Sequence, residues 1–127
     1  MKTDHLVILP SHTCFDDALD TMVEMLRAAG PDAALHEQLF LVHAIVTPEG
    51  YPAMAHAWLE DDREQTAIFS GILTGEKRRF VTPKETYYAN QRPLSVTRYT
   101  YREAFVLNRQ SGHYGPWKPE YRALCRS

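Results

Sequence analysis

No apolar run in this 127-residue chain approaches the roughly 20 residues that a membrane-spanning helix needs. Cysteine is scarce: Cys14 and Cys125 are the only two, too few for a disulfide framework in a domain of this length. A basic excess is missing as well. The formal net charge is -2, and the one cationic cluster, Lys77-Arg78-Arg79, reads as a hairpin tip. Nucleic acid is therefore not an expected partner. Gly71 and Gly75 stand alone and neither precedes a clear helix, so no phosphate-cradling loop is present. Six histidines occur without zinc spacing or a His-Glu-x-x-His motif, so no metal and no cofactor are expected. Lys2-Thr3-Asp4 leads into a short apolar run that ends at Pro10, unlike a signal peptide. The expectation is a cytoplasmic chain with free thiols and no membrane contact.

What is present suits one compact domain over residues 1–127. The apolar share of 44% and charged share of 24% are ordinary for a globular protein, and a chain this long buries a core without staples. His5-Leu6-Val7-Ile8-Leu9 reads as a short strand or extended arm. Ser11-His12-Thr13 offers capping side chains, with Thr13 and Asp16 approximating a capping box. A helix follows from about Cys14 to Ala29, with Phe15, Ala18, Leu19, Met22, Val23 and Leu26 at helical spacing, stopped by Gly30 and Pro31.

Leu39 to Thr47 is apolar at almost every position and predicts a strand covered on both faces. Pro48-Glu49-Gly50-Tyr51-Pro52 turns the chain into an antiparallel strand, Ala53 to Glu60, which carries His56. Strands are predicted over Thr66–Thr74, Lys77–Thr82 and Leu94–Thr100. A short helix is expected after Pro83, another from Tyr101 behind a Thr100–Glu103 capping box, and a last turn from Pro119. Helices segregated from consecutive strands give an α+β fold: a central antiparallel sheet of four to five strands with the N-terminal helix packed across it.

The chemistry-bearing residues are Cys14 and His56. Unpaired N–H groups and the dipole at a helix start favour a thiolate, and such a thiolate beside an imidazole is the minimum unit for nucleophilic acyl chemistry. Each residue also has a structural reading, Cys14 as a small apolar core residue and His56 as a core histidine with bonded ring nitrogens. Cys14-Phe15-Asp16-Asp17-Ala18 at a helix start, then Leu41-Val42-His43, then His56-Ala57-Trp58-Leu59-Glu60, resembles the papain-like and transglutaminase-like thiol hydrolases over about Cys14 to Leu73. That resemblance implies Cys14 as nucleophile and His56 as general base, acting on an amide or ester bond of a small molecule or peptide.

The family places Asp or Asn at a third position. Symmetric closure of the loop between Glu60 and Thr66 sets Ser70 opposite His56, so this chain offers an uncharged orienter there. Closing the Pro48–Pro52 turn with Thr47 opposite Ala53 sets Ala44 opposite His56 and puts His43 and His56 on opposite faces. His43 is the other candidate base. The aromatics Tyr87, Tyr88, Tyr99, Tyr101, Tyr114, Trp117 and Tyr121 crowd the second half, either packing short elements or forming a surface for a protein partner. Two readings follow: a cysteine hydrolase or acyltransferase using Cys14, His56 and Ser70, and a non-catalytic binding domain on the same scaffold.

Overall fold

The computed structural model describes residues 14–31 and 33–125. The arm at His5–Leu9 and the Ser11–Thr13 caps lie outside the described residues. The first helix, α1, spans Cys14–Ala29, and Gly30 follows it at φ 64°, the left-handed stop its sequence predicts. A short α2, Ala33–Gln38, leads directly into the sheet.

Five antiparallel strands follow: β1 Leu39–Val46, β2 Met54–Asp61, β3 Thr66–Leu73, β4 Glu76–Pro83 and β5 Pro93–Tyr99. Between the last two lies α3, Lys84–Gln91. After β5 come α4, Tyr101–Ser111, and α5, Pro119–Arg122. The spatial order is β4-β3-β2-β1-β5. The meander runs outward from β1, and β5 returns to pair with the opposite side of β1. The Thr100–Glu103 capping box forms as its spacing predicts, with each side chain bonding the other's backbone N–H.

Two layers of core sit on this sheet. On one face, Leu39, Leu41, Ala55, Ala57, Leu59 and Ile68 pack against Cys14, Phe15, Ala18, Leu19, Met22 and Leu26 of α1. On the other, Val42, Ala44, Val46, Met54, Trp58, Ala67 and Phe69 pack with Tyr87 of α3. β2 is buried at every position, as a strand covered on both faces must be.

The strands are not joined evenly. β1 and β2 pair from Leu39↔Asp61 to Val46↔Met54, with Ala44 opposite His56 as the turn predicts. β3 and β4 pair along their whole length. β2 and β3 pair only at Leu59↔Ile68, Glu60↔Ala67 and Asp61↔Thr66, and then part. The Ala55 N–H, on the side of β2 that β3 leaves, donates to the Leu124 carbonyl at 3.0 Å. The C-terminal segment thus fills one end of a fork in the sheet. The β2–β3 register corrects the sequence expectation by one residue. β2 continues to Asp61, and the turn closes with Gln65 at φ 53°, so Glu60 faces Ala67 rather than Thr66. Ser70 is therefore not in line with His56.

Candidate functional site

Cys14 opens α1 and points inward. Only 6% of it is exposed, and it belongs to the α1-side core. Its sulfur meets the Ala57 backbone N–H, an amide on the side of β2 from which β3 has parted. Burial pushes the thiol up to about 12; the Ala57 N–H opposes that, and Cys125 and Asp17 add to it. Desolvation outweighs the helix terminus here, so the sulfur is a thiol at neutral pH. A cavity of about 10 Å³ lies in the fork, lined by Cys14, Thr21, Ala57, Ile68, Ser70 and Arg79 among others. That is room for about one water. Ser70, two residues along β3 from Ile68 of the α1-side core, shares the thiol's side of the sheet. Arg79 reaches over the same region to Thr21 at 3.4 Å and Glu24 at 3.5 Å.

His56 lies on the other face. Its ring packs against Trp58 and Tyr87, and its Nε2 shares a 2.6 Å hydrogen bond with the Tyr87 hydroxyl. Burial lowers the imidazole to about 3 and raises the Tyr87 phenol well above its usual value, so both are neutral. This ring and the Cys14 sulfur belong to opposite faces of the sheet. The structure thus brings Cys14 and Ser70 together and leaves His56 apart from both.

The imidazole on the α1 face is His43. It is fully buried, with ring contacts to Phe15 at 4.8 Å, Tyr99 at 5.1 Å and Trp117 at 4.9 Å. Neither ring nitrogen has a hydrogen-bond partner among the described residues. Burial, with a smaller contribution from His56, lowers it to about 3. The tail after α4 seals it. A Cβ placed on Gly115 would stand 2.6 Å from His43 Cε1, so only glycine lets the chain pass this close. Ser111, His113 and Trp117 fix that tail: the indole N–H donates to Ser111 Oγ at 3.1 Å and to the His113 carbonyl at 3.2 Å.

A buried carboxylate gathers several partners on the other face. Glu60 is fully buried on the His56 face. Its Oε2 accepts from Trp58 Nε1 at 3.0 Å and from the Tyr88 hydroxyl at 2.6 Å. Its Oε1 lies 3.1 Å from Arg98 Nε and 3.7 Å from Lys84 Nζ, held by charge rather than by an in-line hydrogen bond. Arg98 also donates to Asp62 at 2.6 Å and lies over the Phe40 ring at 4.0 Å. Two carboxylates thus meet two cations, a self-neutralised cluster that ties β1, β2, β5 and α3 together. Trp58 and Glu60, two apart on one strand, were the visible signal, since such residues share a face.

Tyr87, Tyr99 and Tyr121 are buried, which favours the packing role for these three aromatics. No group of His, Cys, Asp and Glu suited to a metal ion occurs among the described residues, and no described helix is long and apolar enough to cross a membrane. Comparison of the chain with protein-family models, with curated proteins and with solved structures finds no match.

Proposed function

We propose that this chain is a non-catalytic binding domain that engages a protein partner, on a scaffold whose first helix and two strands resemble those of papain-like hydrolases. One observation carries the reading: the thiol of Cys14 and the imidazole of His56 occupy opposite faces of the sheet, each buried and each neutral. A general base must reach the proton it takes, directly or through one water. The apolar surface supports the same reading. Leu94 and Val96 on β5, and Phe105 and Val106 on α4, are exposed. Two free thiols, Cys14 and Cys125, support a reducing, cytoplasmic setting.

Alkylation by iodoacetamide across pH tests this. Exposed Cys125 reacts in the folded chain, whereas Cys14 in a Cys125→Ser background stays inert through about pH 9 and reacts only on unfolding. Labelling of Cys14 by a thiol-reactive acyl probe at neutral pH, lost in Cys14→Ala, overturns the reading.

One feature favours a thiol hydrolase as the second reading. The sulfur faces a strand N–H inside a cavity that also holds Ser70, a donor set suited to an oxyanion. Cys14 is then the nucleophile toward an amide or ester. The base is His43, on the same face, once the Gly112–Trp117 tail moves off it.

A further inference from the structure

Resting on the interaction-domain reading, we propose that the partner is a second copy of this chain, paired through the free edge of β5 so that two sheets join into one across a two-fold axis. Among the described residues, β4 and β5 are the outer strands, and each borders only one neighbour. An outer strand presents backbone N–H and C=O groups that another strand can pair. The two edges differ in charge at their starts, although β4 ends in the uncharged Phe80-Val81-Thr82, where Val81 is 63% exposed.

β4 begins Glu76-Lys77-Arg78-Arg79, all exposed. Lys77 and Arg79 are drawn toward Asp17 and Glu24 of α1, and Arg78 toward Glu76. A second β4 laid beside this one would bring cationic side chains together across the ladder. Charges on an edge strand are a standard block against such pairing.

β5 has no such block. Pro93 to Thr97 carries no charge, and Leu94 and Val96 are 73% and 39% exposed on the face opposite α1. On the other face, Ser95 Oγ and Thr97 Oγ1 each lie 2.9 Å from the Tyr121 hydroxyl, so the strand is already fixed in its extended form. Fixing a strand in advance lowers the ordering cost of docking.

The strand is also its own complement. Antiparallel pairing centred on Val96 sets Val96 against Val96, Leu94 against the aliphatic stem of Arg98, and Ser95 against Thr97. Apolar side chains meet apolar surface, and hydroxyls meet hydroxyls. The two Arg98 charges fall about 14 Å apart along the ladder at about 3.4 Å per residue. Each is already matched by Asp62 and Glu60 of its own chain. A two-fold contact uses the same patch on both copies and closes, and the charged first half of β4 opposes growth at the other edge, so the product is a dimer rather than a fibre.

Sedimentation of the full chain from about 1 to about 500 µM tests this, a range suited to a small interface. The expected result is a doubling of mass with concentration, and slower hydrogen exchange of the β5 amides over the same range. Val96→Lys and Leu94→Lys abolish both while far-UV circular dichroism stays unchanged; both sites are exposed, and the exchange result on the unaltered chain needs no variant. A monomer at every concentration, or a dimer that ignores these substitutions, overturns the proposal. A monomer with an inert Cys14 sinks self-pairing alone, whereas acyl labelling of Cys14 sinks the underlying reading whatever the mass.

Discussion

Among the described residues, each face of the sheet buries one histidine, and the two are accommodated by different means. His56 finds a hydroxyl, Tyr87, and sits beside a polar centre in which Glu60 gathers an indole, a phenol and two cations. His43 finds no hydrogen-bond partner among the described residues and is packed among three rings, under a backbone so close that a Cβ at residue 115 would clash with it. One face is held by a polar network that leaves His56 Nδ1 without a hydrogen bond among the described residues, and the other by shape. The lesson is that burial of an imidazole says little about its role until its nitrogens are traced. On each face the ring is neutral, and on neither is it poised as a base for Cys14.

The largest expected effect comes from removing the anchor of the polar face. Glu60→Ala leaves Trp58, Tyr88, Arg98 and Lys84 without their shared acceptor, and breaking a buried ion pair this way costs about 3–5 kcal/mol. Urea unfolding measures it. A cost near zero would erase the distinction between the faces.

Acid sharpens the comparison. Both imidazoles are held near 3 in the fold by burial, against an ordinary 6.5. The unfolded chain therefore binds protons between about pH 6.5 and 3 that the folded chain refuses. Their contribution to stability is complete above 6.5 and is lost as pH falls through that window. At pH 5 the pair lowers stability by roughly 4 kcal/mol relative to pH 7. His43→Leu and His56→Leu should each remove about half of that slope. At pH 7 the two should differ: His43→Leu is near neutral, because no group loses a partner, whereas His56→Leu leaves the Tyr87 hydroxyl unpaired at about 1–3 kcal/mol. Urea melts at several pH values read both quantities, and equal costs at pH 7 would break the contrast.

A further effect tests the shape-held face. Gly115→Ala strains a residue at φ 108°, for about 1–3 kcal/mol, and adds the clash of a Cβ against His43. Thermal unfolding in the unaltered and His43→Ala backgrounds checks it. The steric part should vanish where the ring is gone, leaving only the backbone strain.

Much of the architecture was legible because it is local. The periodicity from Phe15 to Leu26, the Gly30-Pro31 stop, the Pro48–Pro52 turn and the Thr100–Glu103 box each act over a few residues, and each produced the expected element. The register of β1 on β2 followed from that turn. The register of β3 did not, because one further residue of β2, Asp61, pairs before the chain turns. The return of β5 to β1 left no local trace either, since it joins residues some 50 positions apart, Ala44 to Val96. The site was the least legible part. Parity put His43 and His56 on opposite faces, but both faces of β1 and β2 are apolar, so nothing in their pattern says which one α1 covers. That one unreadable choice decides which imidazole shares a side with Cys14.

The parting of β2 from β3 has a mechanical meaning. Three residue pairs near Asp61 and Thr66 form a short spine, and the β3–β4 ribbon hangs from it like a leaf propped on α1. The tip of that leaf, Thr74-Gly75, lies at the end farthest along the ribbon from the spine. Extra residues grafted there would lengthen the leaf without pulling on the binding, so this is where the chain has room to acquire new length.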